Sequence, residues 1–130
     1  MTDLNYLAIG VAAVVGFVLS SAYYTVFGGR LAELNDAYAD PGRPPGWKVL
    51  VELARTLVLA TVLAGLADQV GVDSWAGAVL LALALWVGFP LVLWTGAIIW
   101  ERVPSTLAAI HAGDWLLKLT AVAVIVSLWR

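Results

Sequence analysis

The sequence predicts an all-α integral membrane protein: a four-helix bundle whose consecutive helices are antiparallel neighbours. Three observations predict it. Of the 130 residues, 62% are hydrophobic and 12% charged, and the mean hydropathy is +0.93. Ordinary soluble domains run about 45–50% apolar and about 25% charged. Leu4 to Gly29 and Ser74 to Trp100 contain no Asp, Glu, Lys, Arg or His, and each exceeds the roughly 20 residues with which a helix crosses about 30 Å of hydrocarbon. Val49 to Ala67, with Glu52 and Arg55, and Ser105 to Trp129, with His111, Asp114 and Lys118, are apolar and long enough to span as well. A chain of this length is expected to be one domain, residues 1–130, with helices at about 4–28, 48–68, 75–100 and 105–129.

The first apolar stretch reads as a retained helix. Ser20-Ser21-Ala22 fits a small-x-small cleavage pattern, but residues 2–6 are Thr-Asp-Leu-Asn-Tyr, without a basic n-region, and the stretch is too long for a signal h-region. Along it runs Ala12-x-x-x-Gly16-x-x-x-Ser20, a small-residue stripe that lets helices approach closely, within the bundle or in a homo-oligomer. Gly28-Gly29 is expected to end this helix. Residues 30–39 then suit a short amphipathic helix at the membrane interface. Residues 41–46, PGRPPG, form the one longer, irregular loop, because Pro lacks a backbone donor and biases its predecessor away from helix.

After the second span, Asp68 to Ser74 is a short polar turn. In the third, Gly88-Phe89-Pro90 predicts a kink, since Pro90 removes a backbone hydrogen bond. Trp86, Pro90 and Trp94 share an i+4 row beside it, and serve either as bulky packing against the bend or as the wall of a pocket. Glu101 to Ser105 is a second short turn, with Pro104 where a helix start tolerates it.

Seven Lys and Arg against nine Asp and Glu give a formal net charge of −2, which offers no basic face for nucleic acid. The chain has no cysteine, so it has no disulfide, thiolate metal site or Cys nucleophile, and its one histidine excludes a centre built from several imidazoles. No metal or other cofactor is expected. Arg30, Arg43, Lys48 and Arg102 flank the loops between the first and second and the third and fourth spans, whereas Arg130 stands alone at the other end. The positive-inside tendency places both loops in the cytoplasm and both termini outside. Trp47 and Trp100 mark one interface, Trp75 and Trp129 the other.

The chemistry concentrates in the fourth span. His111, Asp114, Trp115 and Lys118 fall within an arc of about 100°. Lys118 lies roughly 20 Å below Pro104, near the bilayer centre. A central Lys opposes insertion by about 2.5–3.5 kcal/mol, so it needs a partner. Asp114, four residues earlier, is placed to be one. Glu52, Arg55 and Thr56 share a face of the second span. Similar depths allow an Arg55–Asp114 contact across helices, a polar seam to which Tyr23 and Tyr24 donate. Such charges inside a membrane mark either a pathway or glue between helices, and Tyr23, Tyr24, Trp86, Pro90, Trp94 and Trp115 are the candidate pocket wall.

Several short motifs resemble a known family. They are Ala22-Tyr23-Tyr24 with Phe27-Gly28-Gly29, Trp86-Val87-Gly88-Phe89, Trp100-Glu101-Arg102-Val103-Pro104, Asp114-Trp115 and Leu128-Trp129. In order and spacing they resemble the bacterial membrane-protein family catalogued as domain of unknown function 1761, over nearly the whole length. That family often has Trp where Tyr23 stands. The resemblance implies four helices and a bacterial membrane location, and no activity. Three functions then compete: an oligomeric transporter or channel for an ion or small solute, an accessory or scaffold subunit binding partner helices in the bilayer, and, least supported, a membrane enzyme. For an enzyme, no Ser or Thr stands in a recognisable base-orienter arrangement.

Overall fold

The computed structural model describes residues 4–38 and 45–129. It consists of α1 (Tyr6–Leu34), a short 3-10 helix (Asp36–Tyr38), α2 (Gly46–Val70), α3 (Trp75–Gly88), α4 (Pro90–Glu101) and α5 (Ser105–Leu128), with no strand among the described residues. α3 and α4 together make one span, and all four spans, Tyr6–Leu34, Gly46–Val70, Trp75–Glu101 and Ser105–Leu128, are long and apolar enough to cross a membrane. Most of the expected linker, including Arg43, lies outside the described residues, as does Arg130.

α5 is the centre of the bundle, packed against α1, α2, α3 and α4. The Asn5 amide at the start of α1 donates to the Trp129 carbonyl at the end of α5, so these two helices run antiparallel. The half of the bundle holding this end is closed. Its core is largely alanine, with Ala12, Ala60, Ala78, Ala82 and Ala123 all at 0% exposure around Leu63 and Val122. Lipid tails are as apolar as leucine, so close backbone approach rather than water exclusion holds such helices together. Gly16 belongs to this contact. A Cβ there would meet Thr56 Cγ2 and Val122 Cγ2, each at 3.1 Å. The stripe from Ala12 to Ser20 is therefore spent inside one chain, against α2 and α5.

Two local expectations are corrected, and the kink expected at Gly88-Phe89-Pro90 is present as a break between two helices. Gly28-Gly29 does not end the first helix. Neither glycine takes a positive φ, and α1 continues for a further turn because Leu31 is buried to 1% exposure beside Leu107 and Ile110. Arg30 and Glu33 pair at 2.8 Å along that turn, and the Asn35 N–H closes it on the Leu31 carbonyl. No separate amphipathic helix follows; the chain folds into the 3-10 turn that carries Tyr38 back to the bundle. The third span is not one continuous helix. Pro90 lacks the donor that would reach Trp86, so α3 stops at Gly88, Phe89 leaves helical geometry (φ −122, ψ −75), and α4 restarts with Pro90 as its first residue.

The two short turns close by left-handed caps. Gly71 (φ +81) donates to the Ala67 and Asp68 carbonyls, while Val72 reaches Ala67, ending α2 two residues beyond the expected Asp68. Arg102 (φ 56) ends α4 with its N–H on the Ala97 carbonyl.

Candidate functional site

Above Thr56 the bundle opens. Residues 46–52 of α2 are exposed on every side, and a cavity of about 480 Å³ lies between α1, the 3-10 turn, α2, α4 and α5. One wall is the α5 face foreseen from spacing: His111, Asp114, Trp115 and Lys118 all line it. By the rise of a helix, they descend from about 9 to about 20 Å below Ser105.

The deepest feature is an ion pair. Lys118 Nζ stands 3.2 Å from Asp114 Oδ2, with residue exposures of 8% and 2%. The ammonium also sits 4.4 Å over the Trp115 ring. The Ser20 hydroxyl of α1 donates to the other carboxylate oxygen, Oδ1. Both oxygens of Asp114 are therefore occupied, one along its own helix and one across to α1, which fixes the carboxylate against the buried cation.

Nearer the loop end, His111 is held on three sides. The Tyr24 hydroxyl is 2.7 Å from Nδ1 and the Tyr38 hydroxyl 3.2 Å from Nε2. The Trp94 ring stacks on the imidazole at 4.8 Å and 9°. In a neutral imidazole one nitrogen donates and the other accepts, so one tyrosine hydroxyl donates a hydrogen bond to the ring while the other accepts one from it. Burial pushes the Tyr38 phenol above its ordinary range, leaving it neutral at physiological pH.

The remaining charged residues lie on α2. Arg55 pairs with Glu52, one turn earlier on the same helix, and both are largely exposed at the cavity edge. Thr56 is buried, its hydroxyl donating to the Glu52 carbonyl at 2.9 Å. The expected Arg55–Asp114 contact is not made. Each charge has a nearer partner one turn away on its own helix, and α2 has swung away from α5 at this level. Thus Glu52, Arg55, His111, Asp114 and Lys118 line one cavity, with Glu52 and Arg55 paired apart from the α5 groups.

The expected pocket wall divides in two. Tyr24, Trp94 and Trp115 line the cavity; Tyr23, Trp86 and Pro90 do not. Tyr23 donates to the Ile110 carbonyl at 2.6 Å and Trp86 Nε1 to the Ala112 carbonyl at 2.7 Å, so both clamp α5 from outside while Pro90 is buried at the break. Gly113 makes room for the first clamp, since a Cβ there would overlap the Tyr23 hydroxyl. Sequence reasoning gave no functional role to Ser20, Ser21, Tyr38 or Gly113. Ser20 was visible only as a small residue, and nothing in the order of residues announced that Tyr38 would fold back onto His111. Among the described residues no group of three His, Cys, Asp or Glu side chains is arranged to hold a metal ion.

Residues 7–127 match a family described as "Protein of unknown function (DUF1761)". No curated protein and no solved structure matches the chain.

Proposed function

We propose that this chain, which belongs to the DUF1761 family, is a small carrier that takes an ion or small polar solute into its intramembrane cavity. The observation that carries the reading is the buried Lys118–Asp114 pair at the floor of a cavity that narrows onto an apolar core. Intramembrane ionisable groups are expensive and usually mark pathways. A cavity open toward one end and closed by alanine packing toward the other fits one access state of an alternating carrier better than a continuous pore. The charges would serve as the coupling pair, exchanging partners with the passing solute.

The same reading places the protein in the bacterial cytoplasmic membrane, with the cavity end cytoplasmic and both termini outside. Its support is the excess of Arg and Lys at the loops of that end, together with exposed Trp47 and Trp100 there and Trp75 and Trp129 opposite. The accessory reading relies on the small-residue stripe and on Trp-rich surfaces for binding partner helices; the stripe is engaged inside the bundle, while Trp47, Trp75 and Trp100 stay exposed.

The test is transport into proteoliposomes, read as transient current on a solid support for charged solutes and as isotope uptake for net-neutral ones, with inorganic ions, amines, carboxylates and zwitterions as challenges. Wild-type protein should respond to one of these classes, and Asp114→Asn should insert and fold but lose the response. Full response in Asp114→Asn removes the coupling role, and silence across all classes removes the carrier reading.

A further inference from the structure

The cavity's unmet hydrogen-bonding capacity and its charge balance together specify an occupant. Each oxygen of Asp114 already accepts from Ser20 or Lys118, while the cations of the cavity keep unused donors. An ammonium has three N–H groups and a guanidinium five. Asp114 takes one from Lys118, and Glu52 engages Arg55 through Nη1. The remaining N–H groups of both cations belong to residues that line the cavity, so an occupant bringing oxygen acceptors is favoured. The formal charges of Glu52 and Asp114 cancel those of Arg55 and Lys118, however, and an added net charge would be uncompensated at mid-bilayer depth. A ligand that meets both conditions carries an oxyanion at one end and a cation at the other. Glu52 has acceptor capacity left for the cationic end, and the cavity offers the faces of Tyr24 and Phe17 for cation–π contact.

From this balance we infer that the cavity binds a small zwitterion, its carboxylate or phosphate oxygens toward Lys118 and Arg55 and its cationic group toward Glu52 and the Tyr24 ring. The inference rests on the carrier reading and names its substrate class. At about 480 Å³ the space suits a small molecule. Clefts on both flanks of α2, one beside Trp47 and Lys48 and one beside Leu59 and Trp115, adjoin it. The zwitterion can therefore be a free solute or a lipid headgroup entering sideways.

The experiment is tryptophan-fluorescence titration of the full chain in phosphatidylglycerol nanodiscs, with glycine, glycine betaine and phosphocholine as probes and acetate and choline as the two halves. At least one zwitterion should saturate, with acetate and choline each binding at least tenfold more weakly. Arg55→Gln and Glu52→Gln each change an exposed residue at the cavity edge. Both should keep wild-type helicity and weaken the zwitterion at least threefold. Acetate or choline binding as tightly as the best zwitterion overturns the inference, as does unchanged affinity in both variants. If no zwitterion binds while the transport assay reports another solute, this inference fails and the carrier reading stands. If neither binding nor transport is seen, both fail. Binding that vanishes when phosphatidylcholine replaces phosphatidylglycerol supports the inference with a lipid headgroup as the source, and binding that persists supports it with a free solute.

Discussion

Breaking the Lys118–Asp114 pair from one side should destabilise the bundle far more than removing both partners. At 3.2 Å and an effective dielectric constant of about 20, two unit charges attract by about 5 kcal/mol. Removing one partner of a buried pair leaves the other uncompensated and typically costs about 3–5 kcal/mol. Lys118→Met strands Asp114 with only the Ser20 hydroxyl. Asp114→Asn keeps an acceptor for Ser20 but leaves the ammonium with the Trp115 face, worth about 2 kcal/mol at most. Each single variant should therefore lose about 3 kcal/mol. The double variant removes both desolvated charges and should fall within about 1 kcal/mol of wild type, giving a coupling energy of about 5 kcal/mol. Unfolding by dodecyl sulfate in mixed micelles, followed through the seven tryptophans, measures all three. Additive losses, or a single variant as stable as wild type, would refute the pairing. They would also remove the charge-neutral floor on which the zwitterion argument depends.

Other consequences follow from the packing and the cavity. Gly113→Ala should destabilise by about 1–2 kcal/mol despite alanine's better helix propensity, because the new methyl displaces the Tyr23 hydroxyl from the Ile110 carbonyl. In a Tyr23→Phe background the same change should be close to neutral, and equal losses in both backgrounds would show that the contact is absent. The chain has no cysteine, so Ser21→Cys, in the cavity wall, and Asp73→Cys, in the turn at the opposite end, report sidedness. Membrane-impermeant thiol reagents should reach the first only from the cytoplasmic face and the second only from outside, and the reverse pattern would invert the proposed orientation. Burial raises the Tyr38 phenol above its ordinary value, so its contribution to stability is whole below about pH 10 and lost as pH rises through the higher folded value. Tyr38→Phe should abolish that alkaline component of unfolding, and an unchanged alkaline profile would place Tyr38 in solvent.

Much of the fold was legible because hydrocarbon imposes a length on a helix, and four apolar stretches of that length leave few arrangements. The polar face of α5 was legible for a related reason: His111, Asp114 and Lys118 sit three and four residues apart, and helical periodicity alone brings them to one side. What escaped was tertiary. Gly28-Gly29 looked like a stop until Leu31 found Leu107 and Ile110, a contact that no local pattern encodes. The Arg55–Asp114 contact was inferred from matching depths, but depth does not set the separation between helices. Tyr23 and Tyr24 are neighbours in sequence, yet one clamps a carbonyl while the other faces the cavity. Their 100° separation on the helix was calculable; the direction of α5 from α1 was not.

That separation between helices has its own sequence logic, and it explains why the cavity lies where it does. Interhelical distance follows the side chains at the contact. Along α1 the inward positions run Ala8, Ala12, Gly16 and Ser20 before reaching Tyr23 and Tyr24. Along α2 they run Ala67, Ala64 and Ala60 before Thr56 and then Glu52. Along the third span Ala78 and Ala82 give way to Trp86 and Trp94, and α5 passes from Val126, Ala123 and Val122 up to Trp115 and His111. All four spans are small at one end and bulky or charged at the other, and they share the same end. Packed side by side, they must meet closely where the alanines lie and diverge where the aromatic residues begin. The wedge between them is the cavity, and the polar groups of α5 stand in it.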